Sequence, residues 1–333
     1  MATIRQVAEL AQVSPGTVSQ LLNGRAKLRP ETRRRIEHAI DRTGYRRRPA
    51  GRPSATNQRH HVGMLLAGKT STAHTMHPLH RRRVNHLRDE LLANGDQFSL
   101  LPGGLSPEEN WAFSDAIESG HVDAVVMDGP SEARGYARWL RARNIPHVVM
   151  DRTPYMSAFS CVCVDAVLGG QLAAEHLIER GRRRLAFVQP IVEFTWTHER
   201  RHGFTTTLEQ HGHECAGVWK IDPDGPEPPF QRLCRELREQ RVDGVFATGD
   251  SFVVMLTDRL QRHGATVPDD IAIVGFDDLG LRRASGLRPT SIAYDLSHLA
   301  RAVIRTLKQL IDDPLTSTLA TYVRPTLAKH DTT

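Results

Sequence analysis

Cysteine is scarce: Cys161, Cys163, Cys215 and Cys234 in 333 residues are too few and too scattered for a disulfide framework or a paired CxxC zinc site. Side chains two apart point the same way along a strand, so Cys161-x-Cys163 reads as one strand face. No apolar run approaches the roughly 18 residues that span a bilayer, and Met1-Ala2-Thr3-Ile4-Arg5-Gln6 lacks the apolar core of a secretory signal. A cytoplasmic protein with no membrane partner is the expectation. The marks of common parallel-sheet enzymes are also missing. No strand is followed by G-x-G-x-x-G, since Gly103-Gly104 and Gly169-Gly170 lack the remaining glycine, and neither a G-x-S-x-G elbow nor an H-E-x-x-H helix occurs. The 17 histidines, His60-His61 included, show no ligand pair at helical spacing flanked by a base. No catalytic residue, cofactor or metal is expected. The end Thr326-Leu327-Ala328-Lys329-His330-Asp331-Thr332-Thr333 carries no leucine heptad, so it gives no support to a tail-driven tetramer.

What is present is an ordinary globular composition, 39% hydrophobic and 25% charged, with length for about two domains or a small module on a larger one. Charge is unevenly divided. Residues 1–59 hold 13 Lys+Arg against four acids, a net +9, while the other 274 residues sum to −3. A basic head on a mildly acidic body is a nucleic-acid footprint, because phosphate neutralisation supplies most non-specific affinity; a solvated arginine-rich tail is the plainer alternative.

Within the head, Ile4, Val7, Ala8 and Ala11 recur at helical spacing, with Thr3 placed to cap the helix. After a turn at Gln12-Val13, Ser14 reads as an N-cap and Pro15 as a first helical residue, with Val18, Leu21 and Leu22 on the buried side. A third helix opens at Pro30, faces the same core with Ile36, Ala39 and Ile40, and stops at Gly44 before Tyr45. Two short helices, a tight turn and a supporting third helix make a helix-turn-helix. The string Thr3-Ile4-x-x-Val7-Ala8-x-x-Ala11-x-Val13-Ser14-x-x-Thr17-Val18-Ser19-x-x-Leu22-Asn23-Gly24, followed by Pro30-Glu31-Thr32-Arg33 and Gly44-Tyr45, resembles the lactose/galactose-repressor (LacI/GalR) family of bacterial transcription regulators. The resemblance implies that the second helix enters the major groove while backbone amides and small hydroxyls hold phosphates. It places Thr17 and Ser19 on the phosphate side, makes Asn23 a turn or phosphate contact and counts Ser14 among the DNA-binding residues; capping or exposed polar surface is the alternative for each. Base reading then falls to Pro15, Gly16 and Gln20, of which only Gln20 has a side-chain amide that pairs bidentately with adenine. Gln12 replaces a turn glycine common in the family, at about 1 kcal/mol if the backbone is left-handed there.

The linker departs from the family. Where relatives carry a hinge helix with a minor-groove leucine, this chain has Arg46-Arg47-Arg48-Pro49-Ala50-Gly51-Arg52-Pro53-Ser54, with Ser54 at the leucine register and Gly51 and Pro53 opposing a helix. Gly51-Arg52-Pro53 is similar to an AT-hook core, with Ala50 where that motif has arginine. Either Arg52 lies in a narrow A·T-rich minor groove or the segment is a solvated basic tether.

From Val62 onward apolar runs (62–66, 98–101, 124–127, 148–150, 162–164, 185–188, 245–247 and 271–274) alternate with helical patterns, which implies parallel sheets. An interruption near Asp151-Arg152-Thr153-Pro154 splits them into two groups, as two doubly wound lobes would, with a ligand cleft outside the strands' carboxyl ends. The resemblance extends here through Ile145-Pro146-x-Val148-x-x-Asp151-Arg152, Val164-Asp165, Gly169-Gly170, His176-Leu177, Glu199-Arg200-x-x-Gly203-Phe204 and Val267-Pro268-x-Asp270-Ile271-Ala272-x-Val274-Gly275-Phe276-Asp277-Asp278. It implies a periplasmic sugar-binding-protein fold whose chain crosses between lobes near 160, 290 and 322, with Ser297–Ile311 returning to the first lobe. Carried over, Asp277 and Arg200 form a polar clamp or an interlobe ion pair, and Phe194 and Trp196 are ligand contacts or core. Asp250 either reaches the pocket or caps a helix. His77, Leu79 and His80 stand where relatives have an Asn-Pro-aromatic-aromatic loop, of which only Pro78 matches.

The expected architecture is α/β: an all-α helix-turn-helix head (1–45), a linker (46–60) and a two-lobed body (61–333). Lobe 1 takes about 61–160 and 291–321, and lobe 2 about 161–290 and 322–330. The expected function is that of a non-enzymatic regulator, a repressor of an operator bound as a homodimer and controlled by a sugar-like effector. The alternative is a sugar-binding receptor or degenerate carbohydrate enzyme bearing a basic arm.

Overall fold

Short aliphatic runs build two six-stranded sheets. The computed structural model describes residues 4–14, 17–18, 21, 30–43, 59–66, 77–103, 106–128, 133–150, 159–192, 194–222, 227–281, 286–313 and 318–333. Contacts divide the chain into two compact units, Met1–Gln58 and Arg59–Thr333. In the second unit one sheet contains β1 (His61–Leu66), β2 (Gln97–Leu101), β3 (Ala124–Asp128), β4 (His147–Met150), β5 (Cys161–Val164) and β11 (Ala320–Val323), in the order β11-β5-β4-β3-β1-β2 and parallel throughout. The other contains β6 (Leu185–Pro190), β7 (Cys215–Ile221), β8 (Gly244–Ala247), β9 (Ala272–Phe276), β10 (Thr290–Ala293) and β12 (Thr326–Ala328), in the order β12-β10-β9-β8-β6-β7, with β12 antiparallel.

Helices cover both faces of each sheet, which is why strands such as Ala-Val-Val-Met-Asp in β3 are buried at every position. Pro78–Ala93 and Leu296–Asp312 pack on one face of the first sheet, and Trp111–Glu118 and Ala133–Ala142 on the other, where Cys161 and Cys163 lie together as expected. Leu296, Leu299, Ala300, Val303, Ile304, Leu307 and Ile311 form the apolar stripe that returns the 296–312 helix to the first lobe. On the second sheet Ala166–Glu179 and Thr195–Gln210 take one face, and Glu227–Glu239 and Asp250–Arg262 the other.

The sheets sort the lobes. Crossings fall at Asp165, at Tyr294-Asp295 and at Arg324-Pro325, a few residues later than the sequence reading placed them, so β5 belongs to the first lobe and β10 to the second. The reason is local: each strand completes its ladder first. Asp165 and Asp295 then cap the helices that follow, accepting from Leu168 N at 2.9 Å and from Ser297 N at 2.8 Å. Asp165 N also donates to Val323 O at 3.0 Å, tying two crossings together.

Two glycines set the position of the 195–210 helix. A Cβ on Gly203 would collide with Val167 O, and one on Gly170 with Arg200 O and, at 2.7 Å, with Phe204 N. The backbones of two helices therefore touch, and Arg200 is delivered to the carboxyl ends of β8 and β9.

In the first unit, α1 (Ile4–Leu10) and the helix Pro30–Thr43 pack around Val7, Ala8, Ala11, Val18, Ile36 and Ala39. Ser14 Oγ accepts from Thr17 N at 3.1 Å, the expected N-cap, and Gln12 has φ +53, the left-handed turn that the family fills with glycine.

Candidate functional site

The carboxyl ends of β3, β6, β8, β9 and β10 bring the chemistry together. Asp128 ends β3, Thr248 follows β8, Asp277 follows β9 and Tyr294 follows β10. The N-terminal turns of the helices 78–93, 195–210 and 250–262 add His77, His80 and Arg83, then Phe194, Trp196 and Arg200, then Asp250 and Ser251.

The second-lobe wall centres on Arg200, 4% exposed. Its Nη1 donates to Thr248 O, its Nη2 lies 3.7 Å from Asp277 Oδ1, and its guanidinium carbon lies 4.4 Å from the Trp196 ring and 3.4 Å from the Phe276 ring. Phe194 stacks on Trp196 with centroids 5.2 Å apart and planes 8° from parallel. Both aromatics are half-buried and project beside the clamp. Arg200 and Asp277 come from the same lobe, so their pair is intralobe and not the interlobe bridge that was the alternative.

Asp277 is held in a strained backbone. Its φ is +94 and that of Asp278 is +42, conformations that cost about 1–3 kcal/mol for residues other than glycine and cluster at functional sites. Three successive amides hold the loop: Asp277 N on Ile292 O at 2.8 Å, Asp278 N on Ser291 Oγ at 3.1 Å and Leu279 N on Asp250 Oδ2 at 2.7 Å. Ser291 Oγ donates in turn to Asp250 Oδ1 at 2.6 Å, and a Cβ at Gly275 would strike that same oxygen. Asp250 is therefore neither pocket wall nor cap: Gly249 stands at the cap position, and the Asp250 carboxyl supports the 277–279 loop from behind. Burial pushes its pKa up to about 7 against the pull of Ser291 and Leu279. A Cβ at Gly249 would sit 3.8 Å from Asp277 Oδ2, which takes no hydrogen bond from the described residues. Thr248 Oγ1 is likewise buried without a partner among them.

The first-lobe wall is polar. Asp128 is fully buried and accepts from His80 Nδ1 at 2.8 Å and Arg83 Nη1 at 3.1 Å. Burial pushes its carboxyl up, but His80 and Arg83 outweigh that and hold it at about 2. His77 Nδ1 accepts from Leu79 N at 3.3 Å, and its Nε2 stands 3.5 Å from Ser251 Oγ of the other lobe. Burial and the neighbouring His80 lower the His77 pKa. Leu79 contributes that amide while its side chain is buried. Arg82 Nη1 reaches across to Asp278 O at 2.8 Å.

Asp128, Arg83, Tyr294 and Ser291 went unnoticed in the sequence. Signals existed for two of them. Arg83 falls on the buried stripe Leu79, Arg83, Leu87, Leu91, where a charge is out of place, and Asp128 ends an otherwise apolar strand. A separate groove of about 610 Å³, lined by Arg238, Arg241, His263 and Asp270, lies at the opposite ends of β8 and β9 and shares none of this chemistry. Among the described residues no cluster of three His, Cys, Asp or Glu side chains is placed to hold a metal ion, and no helix is long and apolar enough to cross a membrane. In the head, Ser14 Oγ and Thr17 Oγ1 lie 2.8 Å apart at the start of the second helix. Pro15, Gly16, Ser19, Gln20, Asn23 and Arg52 lie outside the described residues.

Residues 3–48 match the model of the bacterial regulatory proteins of the lacI family, and residues 174–333 that of the periplasmic binding protein-like domain. The chain thus carries a lacI-family helix-turn-helix head followed by a periplasmic binding protein-like domain. It is 28% identical over 332 residues to the HTH-type transcriptional regulator CelR of Thermobifida fusca, covering 98% of this chain and 96% of CelR. It is 25% identical over 323 residues to the probable HTH-type transcriptional repressor ExuR of Bacillus subtilis, covering 95% and 93%. A solved CelR–cellobiose complex superposes with a TM-score of 0.70 at 26% identity over the whole of both chains. The lac repressor dimer bound to operator and the anti-inducer ONPF shares the fold, with a TM-score of 0.68 at 19% identity over 99% of this chain and 98% of that one. With that head on a periplasmic binding protein-like body, the chain is a DNA-binding transcriptional regulator.

Proposed function

We propose that the protein is a one-component repressor that acts by binding and not by catalysis. It works in the cytoplasm as a homodimer, two heads meeting the half-sites of a pseudo-palindromic operator. The head spans 1–45 and the linker 46–60. Ser14, Thr17, Ser19 and Asn23 hold phosphates, Pro15 and Gly16 approach base edges closely, Gln20 reads adenine, and Arg52 lies in the minor groove. Gln20→Ala is expected to relax preference at one base pair by about 1–3 kcal/mol, and Arg52→Ala to reduce the salt slope of binding by about one. Unchanged affinity and slope in Arg52→Ala would return the linker to a solvated tether.

The effector is a polyhydroxylated molecule with one apolar face. That face rests on the Phe194 and Trp196 pair, its hydroxyls donate to Asp277, and the Arg200 fork donates to its oxygens. His77 and His80 close over it from the first lobe, while Leu79 and Asp250 act as supports. The observation that carries this reading is the Arg200–Asp277 pair, held ready by rings on one side and three anchored amides on the other. Cellobiose, found in the CelR complex, and D-ribose, after the 26%-identical ribose operon repressor of Escherichia coli, are the first ligands to test. A gel shift with and without residues 1–58 separates the regulator from a receptor with a basic arm. Loss of operator binding on deletion supports the regulator, and retained binding by residues 59–333 refutes it.

A further inference from the structure

We infer that Tyr294 is a positioning residue that carries the state of the Asp277 carboxylate from the second lobe to the first. The inference rests on the reading of the cleft as the effector site. Tyr294 occupies one of the three crossings, between β10 of the second sheet and the 296–312 helix of the first lobe. Its ring packs against the hydrophobic cores of both lobes and lies 6.4 Å from the Phe276 ring. Its hydroxyl accepts from Arg83 Nη2 of the first lobe at 3.0 Å and donates to Asp277 Oδ1 of the second at 3.2 Å.

The donor directions fix this path. Arginine only donates, so the Tyr294 proton points at Asp277; Arg83 Nη1 donates to Asp128, which also takes the His80 proton. A continuous run of hydrogen bonds therefore leads from His80 through Asp128, Arg83 and Tyr294 to the carboxylate that is the proposed ligand acceptor. A ligand hydroxyl donating to Asp277 Oδ2 draws charge away from Oδ1, the oxygen that Tyr294 holds, and weakens that bond. The tyrosine hydroxyl must then turn or lengthen its bond, and Arg83, 3% exposed and packed under the first lobe, shifts with it. Among the described residues, Arg82 on Asp278 O and His77 near Ser251 also bridge the lobes, and neither of these two contacts is a hydrogen bond to the Asp277 carboxylate.

Hydrogen exchange on the full chain, without any ligand, tests the path in four forms: wild type, Asp277→Gly, Tyr294→Phe and the double variant. Glycine suits the φ of +94 at 277 and removes the carboxylate, and Phe keeps the ring while deleting both hydrogen bonds. Asp277→Gly is expected to speed exchange in residues 79–87 of the first lobe by about fivefold in the wild-type background. In the Tyr294→Phe background the same change is expected to give under about twofold. Equal acceleration in both backgrounds, or none beyond the second lobe, overturns the inference, and Asp277→Asn repeats the cycle should the glycine form not fold. A second arm titrates wild type and Tyr294→Phe with cellobiose and with D-ribose. For a sugar that binds, affinity is expected to change by less than about threefold while its effect on operator binding is lost. Operator binding that responds as in wild type overturns the inference. Failure of both sugars to bind wild type counts against the effector reading alone, and the exchange cycle still decides the role of Tyr294.

Discussion

The two walls of the cleft solve the problem of buried charge in opposite ways. The first-lobe wall satisfies its carboxylate completely, with Asp128 held between His80 and Arg83. The second-lobe wall leaves one Asp277 oxygen, beside Gly249, without a hydrogen bond from the described residues, and devotes Asp250, Ser291 and three backbone amides to keeping it in a strained posture. A saturated carboxylate stiffens a wall; an unsaturated one, rigidly aimed, recognises a ligand. On the proposed reading, recognition therefore belongs to the second lobe, and the first lobe responds.

The largest expected effect comes from breaking the saturated wall. Arg83→Met leaves Asp128 with His80 alone and is expected to cost about 3–5 kcal/mol in urea unfolding, with much of the loss recovered by adding Asp128→Asn. Next is the helix contact that aims the other wall. Gly203→Ala forces the 195–210 helix off Val167 O at about 2–3 kcal/mol and displaces Arg200 from Thr248 O, so ligand binding falls further than stability alone explains.

Acidity sharpens the contrast, because the two walls carry opposite signs. Asp128 has a folded pKa of about 2, below its unfolded value, so its contribution of about 2 kcal/mol is present above pH 4 and is lost as pH falls towards 2. Asp250 is raised to about 7, so the stability from its bound proton is complete below pH 4 and is lost as pH rises through 7. Asparagine mimics the neutral acid. Asp250→Asn should therefore flatten stability between pH 4 and 7 in urea titrations, while Asp128→Asn removes the loss below pH 4. The smallest effect is that of Ser291→Ala, which frees Asp278 N and one Asp250 oxygen at about 1–2 kcal/mol by the same measurement.

Much of this architecture was legible in the chain. Strands buried on both faces announce themselves as unbroken aliphatic runs, and eight of the strands fall where such runs do. The head was legible because a cap, a turn and a stripe must coincide within a few residues. The half-exposed edge strand β7, with Gly217 and Lys220, and the short β10, β11 and β12 carry no such run. Of the site, Arg200, Asp277 and the aromatic pair were found by motif. The partners that hold them were not, because Ser291, Tyr294 and Asp128 act through distances folded across 13 to 45 positions of sequence. A side chain whose role is to hold another side chain leaves no local pattern.

The central claim is that the Asp277 carboxylate governs the grip of the head on DNA. It is tested most directly by selecting fragments of the native genome with full-length wild type and Asp277→Asn, with and without cellobiose and a panel of monosaccharides. The account expects both proteins to enrich the same fragments over random competitor, and one sugar to shift the wild type alone. A variant that responds to that sugar as the wild type does, or a wild type with no preferred fragment under any condition, would contradict it.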